Sequence, residues 1–170
     1  MDLPHCRVRE PDQSPGRVAP SASEVEAAVR ILIAAAGDDP QREGLRDTPA
    51  RVARAYGEWF SGYGVDPRQL LSRVFTETEG YSETILLRDI PVVSTCEHHL
   101  APIHGVAHVA YRPADQVVGI SKLSRLVDAY SRRLQLQERL TNQIARALDE
   151  ALRPRGVAVV IRANHGCMST

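Results

Sequence analysis

The sequence has few cysteines, a single lysine, no net charge and no long apolar run, and each shortage excludes a class of protein. Three cysteines among 170 residues are too few, and odd in number, for a disulfide framework. A formal net charge of zero provides no basic field that would favour binding to nucleic acid. Without a membrane-length apolar stretch or a signal-peptide pattern, we expect a cytoplasmic protein with no membrane partner.

Composition and length predict one globular domain with additional segments before it. The chain is 43% hydrophobic and 25% charged, which is ordinary for a soluble protein that buries a core without disulfides. The polar, proline-rich stretch 1–22 is predicted to be a disordered arm. Residues 23–65 are predicted to form an N-terminal helical region, and 83–170 an α+β domain.

Four helices are predicted from apolar spacing and end signals. Ser23 followed by Glu26 is a capping-box pattern that opens the first helix, and Thr48 with a following proline opens the second. Ser121 is predicted to be the N-cap of the third helix. A fourth helix carries Leu140 and Leu148 on one face, and it ends before a Pro-Arg-Gly turn.

Three strands are predicted between and after these helices. The stretches 84–95, 106–111 and 157–161 are rich in aliphatic and β-branched residues. Strands and helices are grouped along the chain, which favours an α+β fold in which helices cover an antiparallel sheet. Because three strands leave open edges, we expect oligomerisation to cover them.

Two short clusters could carry chemistry, Cys96-Glu97-His98-His99 and His165-Gly166-Cys167, each directly after a predicted strand. A Cys-x-x-His pair and a distant cysteine can give one zinc ion three ligands and leave the fourth position for water, as in catalytic sites. A lone cysteine or histidine is more often a packing residue, but two such clusters together favour a metal centre. Cys6 lies in the predicted arm and is incidental in this interpretation.

Two helix starts offer weaker signals. Ser121, Lys122 and Arg125 lie in one helical turn, where free N–H groups and the helix dipole favour an anion such as phosphate. Lys122 is the only lysine of the chain. Gln137 and Glu138 could recognise the N–H edge of a purine. Each pattern, taken alone, is equally typical of a solvated charged helix face.

The order and spacing of these motifs resemble the GTP cyclohydrolase I family over residues 23 to 170. The resemblance rests on several short segments, among them Asp47-Thr48-Pro49-Ala50-Arg51-Val52, Cys96-Glu97-His98-His99-Leu100, Gly119-Ile120-Ser121-Lys122-Leu123, Gln137-Glu138-Arg139-Leu140-Thr141 and His165-Gly166-Cys167-Met168. It implies hydrolysis of GTP to 7,8-dihydroneopterin triphosphate and formate, the first step toward tetrahydrofolate and other pterins. It also implies the tunnelling fold, in which subunit sheets join into a barrel and two rings stack as a homodecamer.

The resemblance implies a role for each matching residue. Zn²⁺ would be held by Cys96, His99 and Cys167, while His98 and His165 would handle protons near purine C8. Gln137 and Glu138 would bind guanine, and the triphosphate would contact three residues near the start of the third helix: Ser121, Lys122 and Arg125. Relatives in this family continue past the Cys-Met pair with a phosphate-contacting arginine and a further strand, which we expect to be missing here.

Two other interpretations stay open at this point. A non-catalytic or truncated relative, stabilised by zinc and acting as a binding or oligomeric subunit, would fit the missing segment. It would not need His98, His165 and Glu138. A nitrile reductase of the tunnelling fold would need a nucleophilic cysteine and a nicotinamide cofactor, whereas the cysteines here stand at metal-ligand spacing.

Overall fold

The computed structural model describes residues 19–76 and 83–169, and the chain divides into two compact units, 1–58 and 59–170. Most of the predicted arm, including Cys6, lies outside the described residues. None of the helices in the described ranges has both the length and the apolar character that crossing a membrane requires.

The first unit contains helix α1 (Ala22–Ala35) and nearly all of helix α2 (Thr48–Trp59). Ser21 caps α1: its hydroxyl accepts from the Glu24 N–H at 3.3 Å, and the Glu24 carboxylate accepts from the Ser21 N–H at 2.8 Å. The predicted cap at Ser23 was wrong, because the same Ser-x-x-Glu pattern occurs two residues earlier and the earlier cap gives a longer helix. Thr48, predicted to be an N-cap, is already the first helical residue of α2.

The second unit carries the strands and the remaining helices. A 3₁₀ turn at Ser61–Gly64 comes before these elements. In chain order they are α3 (Pro67–Leu71), β1 (Val74–Phe75), β2 (Ile85–Cys96), β3 (Pro102–Arg112), β4 (Val117–Val118), α4 (Ile120–Ser131), β5 (Leu134–Gln135), α5 (Gln137–Leu152) and β6 (Gly156–His165).

The main sheet has the strand order β5-β2-β3-β6, and β1 pairs separately with β4. The α+β class is therefore confirmed. β2, β3 and β6 pair antiparallel as predicted, but β5 lies parallel to β2, so the sheet is mixed. The sequence pattern missed β1, β4 and β5, because strands of two residues are too short to show alternation.

One face of the sheet is covered by α4 and α5 and forms the core. Residues on this face alternate along each strand with residues that point away from the helices. The core includes Val92, Val109, Tyr111, Leu123, Leu126, Leu140, Ile144, Leu148 and Ile161. The opposite face exposes Leu86, Val93 and Val160, each 55% accessible.

Chain direction brings five element ends together at one end of this unit. β3 begins beside the end of β2, since Thr95 pairs with Pro102, and β6 ends beside the start of β3, since Ile103 pairs with His165. α4 ends and α5 begins at the same end, on either side of β5. Residues far apart in sequence are therefore concentrated at this end, which we call the strand-end region.

Candidate metal centre

A tight turn follows β2 and reverses the direction of the chain at the Cys-Glu-His-His motif. The Leu100 N–H donates to the Cys96 carbonyl at 2.9 Å, and the Cys96 N–H donates to the Ala101 carbonyl at 2.8 Å. Leu100 has a φ of 54°, in the left-handed region that non-glycine residues seldom adopt. This turn returns the chain toward Cys96, so that His99 shares one side of the turn with it.

A second turn follows β6 and places Cys167 beside the first. The Gly166 N–H donates to the Pro102 carbonyl at 2.9 Å, and the Met168 N–H donates to the His165 carbonyl at 3.0 Å. A Cβ atom on Gly166 would lie only 3.1 Å from the Pro102 oxygen. The glycine therefore permits the close approach that joins the two turns.

The ligand atoms of Cys96, His99 and Cys167 all lie within 4.8 Å of one another. The two sulfur atoms are 3.9 Å apart. Two thiolates bound to zinc at about 2.3 Å with tetrahedral angles would be about 3.8 Å apart, so the sulfur spacing fits the ion. Cys96 is buried, Cys167 is partly buried and His99 is exposed, which leaves one side of the cluster open to solvent.

The protonation of Cys167 depends on its surroundings. Burial, and next the neighbouring Cys96 sulfur, raise the pKa of the Cys167 thiol above its usual value. Without a metal ion, the Cys167 side chain beside Cys96 therefore favours the protonated thiol over the thiolate. A bound cation would reverse this preference, because a cysteine binds a metal as thiolate.

His165 is held by Gln137, the first residue of α5. The Gln137 amide nitrogen donates to the Ile161 carbonyl at 3.0 Å, so its oxygen must face His165 Nε2, 2.9 Å away. His165 Nε2 therefore carries a hydrogen and donates it to Gln137. In a neutral ring, Nδ1 is then the atom that can accept a proton.

The other predicted residues of the strand-end region are accessible. His98 is exposed, and its ring meets the His99 ring edge-on with centroids 6.1 Å apart. Glu138 is exposed in the first turn of α5. Among residues 19–76 and 83–169 it has no hydrogen-bond or ion-pair partner, so its carboxylate is available to a ligand.

Ser121, Lys122 and Arg125 lie in a different place. They occupy the first turns of α4, which starts after Gly119 without a side-chain cap, so the predicted N-cap role of Ser121 was wrong. At 1.5 Å per residue, Lys122 is about 12 Å along the helix axis from Tyr130, which lies at the strand-end region. Within one chain, the predicted anion-binding residues are therefore separated from the three candidate metal ligands.

One group in the strand-end region was not assigned a role from the sequence. Glu97 pairs with Arg139, and Arg139 also contacts Gln135 and the Leu134 carbonyl. The only available signal was position: Glu97 lies inside the Cys-Glu-His-His motif, and Arg139 directly follows Glu138.

Comparison with known proteins agrees with this geometry. A sequence model for the family described as GTP cyclohydrolase I matches residues 25–170. A protein of Maricaulis maris named GTP cyclohydrolase 1 is 60% identical over 151 residues, covering 89% of this chain and 74% of the relative. Proteins of the same name from Hyphomonas neptunium and Sinorhizobium fredii are 58% and 54% identical, and the alignments cover 89% and 93% of this chain and 73% and 76% of the relatives.

Proposed function

The chain belongs to the GTP cyclohydrolase I family, and we propose that it hydrolyses GTP at a metal ion held by Cys96, His99 and Cys167. Its products are formate, derived from C8 of the purine, and 7,8-dihydroneopterin triphosphate. One observation carries the proposal beyond the family: two turns, separated by about seventy residues in sequence, bring three soft or borderline ligand atoms to within 4.8 Å of one another.

The donor set supports zinc as the resident ion. Two thiols and one imidazole match the ligands that zinc prefers, and the sulfur spacing of 3.9 Å suits tetrahedral coordination. When bound, zinc would supply a Lewis acid that makes hydrolysis feasible near neutral pH. Since His99 is exposed, substrate can approach the open side of the cluster.

We assign proton transfer near C8 to His165 and His98. The bond to Gln137 keeps a hydrogen on Nε2 of His165, so His165 accepts and returns a proton at Nδ1. His98 is exposed beside the ligand His99 and can exchange protons with solvent. The two imidazoles thus provide one proton carrier held by the fold and one in contact with water.

We assign recognition of guanine to Glu138, assisted by Gln137. A carboxylate accepts hydrogen bonds from the ring N–H and exocyclic amino group of guanine, and the free carboxylate of Glu138 is suited to this. The Gln137 oxygen accepts from His165 and keeps a second lone pair for the base. Both residues lie in the first turn of α5, at the same end of the unit as the candidate metal ligands.

The position of the triphosphate residues supports a site shared between subunits. Ser121, Lys122 and Arg125 lie at the end of α4 that is remote from the candidate metal ligands. We therefore propose that a neighbouring subunit brings its own copies of these residues to the metal site. The exposed apolar face with Leu86, Val93 and Val160 supports the same assembly, a barrel of joined sheets in a homodecamer. Sedimentation at several protein concentrations would test it, and a stable monomer would contradict it. A cytoplasmic location remains a prediction from the sequence.

The test of the proposal is to measure metal content and formate release from GTP on the purified chain. We expect about one zinc ion per chain and formate in step with the pterin product. Zinc without formate would favour a non-catalytic, zinc-stabilised subunit. If no divalent metal binds and no formate forms, the proposal is wrong.

A further inference from the structure

We propose that the Glu97–Arg139 ion pair is a positioning device that holds the metal-ligand turn in place relative to the start of α5. The inference rests on the proposed function. Glu97 directly follows the ligand Cys96, and Arg139 directly follows Glu138. One ion pair thus connects the turn that carries two metal ligands to the helix start that carries the proposed purine contact.

Glu97 is anchored through both its side chain and its backbone. Its carboxylate accepts from Arg139 Nη2, and its N–H donates to the Gln135 carbonyl at 3.1 Å. The side chains of Glu97 and Arg139 are each only 28% exposed. Water and salt therefore compete less for this pair than for an ion pair at the open surface.

Arg139 is itself held in one orientation. Its Nε donates to Gln135 Oε1 at 3.1 Å, and its Nη2 also donates to the Leu134 carbonyl at 2.9 Å. A planar guanidinium bound at several points cannot rotate freely, whereas a lysine could not make the same set of contacts. Because Arg139 is fixed in this way, it also fixes the Glu97 carboxylate and the metal-ligand turn that contains Glu97.

Gln135 extends this network into the core. Its side chain is almost fully buried at 1% exposure, and Nε2 donates to the Tyr130 carbonyl and to Gln143 Oε1, both at 2.8 Å. Both amide hydrogens and the oxygen of Gln135 are satisfied, so the network has little freedom to rearrange. The metal-ligand turn is thus attached to the end of α4, to β5 and to α5.

We expect this attachment to set metal affinity and ligand geometry. Removing a residue that holds a metal ligand in place typically lowers metal affinity or activity by about 10–100-fold. Glu97→Gln and Arg139→Met should each weaken Co²⁺ binding by about that factor and shift the Co²⁺ absorption bands. At saturating metal, kcat should fall by about 10–100-fold with a smaller change in KM, because Glu138 is retained.

Arg146→Met is the matched control on the same helix. Arg146 pairs with Glu150 at 3.3 Å, but these side chains are 52% and 48% exposed. This variant should bind Co²⁺ like the wild type. The double variant Glu97→Gln/Arg139→Met should lose little more than either single variant, because both remove the same pairing of charges.

The proposal is overturned if folded Glu97→Gln protein binds Co²⁺ as tightly as Arg146→Met protein and shows the same absorption spectrum. Glu97→Gln keeps the shape of the side chain, so it carries the test even if Arg139→Met does not fold. A wild-type chain that binds no Co²⁺ would contradict the proposed function instead, and that result is seen before any variant is compared.

Discussion

The strand-end region and the core beneath it are built on the same strands but held by different forces. In the core, Val92, Ile144 and Leu148 pack through apolar contacts that have no strong directional requirement. In the strand-end region, Cys96, His165 and Glu97 are placed by hydrogen bonds and an ion pair with defined partners. The core therefore stabilises the fold through apolar burial, while the strand-end region holds the groups proposed for chemistry in fixed positions. Substitutions in the two regions should have separable effects.

The largest expected effect is that of Cys96→Ser. Removing one of the three proposed ligands should abolish metal binding and formate release together, because a neutral hydroxyl is a poor zinc ligand. The buried backbone contacts of residue 96 are retained, so thermal unfolding should show a folded protein. Elemental analysis and a formate assay provide the measurement, with Cys6→Ser as the control that should keep both. Retention of metal and activity in Cys96→Ser would contradict the ligand assignment.

The next largest effect is expected from Ile144→Ala in the core. Ile144 is fully buried, so its truncation should lower the free energy of unfolding by roughly 2–5 kcal/mol. Metal content and kcat of the folded fraction should stay near the wild-type values. Urea denaturation and metal analysis on the same preparation measure both effects. Loss of metal from folded Ile144→Ala protein would mean that the two regions are not separable.

Glu138→Gln should reverse that pattern, with a loss of activity and little loss of stability. In the proposed guanine contact, the substitution replaces one acceptor oxygen by a donor that would face the N–H groups of the base. A charged hydrogen bond contributes about 1.5–3 kcal/mol, so kcat/KM for GTP should fall by about 10–100-fold. Glu150→Gln, on the exposed surface of α5, is the control. If Glu138→Gln loses zinc, Glu138 has a structural role and not a role in recognition.

The smallest expected effect is that of Ile144→Val, which removes one methylene group from the core. It should lower the free energy of unfolding by about 0.5–1.5 kcal/mol and leave GTP turnover unchanged. Urea denaturation measures the first quantity and the formate assay the second. A large loss of turnover here would show that core packing controls the metal site closely.

Much of the fold was predicted from local patterns. Apolar spacing correctly predicted helices α4 and α5, and aliphatic runs correctly predicted the central parts of β2, β3 and β6. The missed elements are α3 and the two-residue strands, which contain too few residues for a period to be visible. The misplaced caps, at Ser23, Thr48 and Ser121, show that a capping residue type alone does not mark a helix end.

The candidate site divides in the same way. Residue type and spacing suggested Cys96, His99 and Cys167, and the resemblance suggested which residues act near them. Nothing in the sequence indicated that Gln137 would hold His165. Nor could spacing show that the start of α4, with Lys122, lies away from the candidate metal ligands, because that depends on the direction in which the helix packs against the sheet.

By itself, the sequence determined which ligand atoms are available and where the chain turns. Cysteine and histidine supply the zinc-type donor set of this chain, and the strand ends on which they stand follow from local alternation and turn residues. Tertiary structure alone decided three features: the distance between the Cys96 and Cys167 sulfur atoms, the ion-pair partner of Glu97, and the separation of Lys122 from the candidate metal ligands. These depend on strand register and helix direction, which arise when distant segments bury a common core and cannot be read from neighbouring residues.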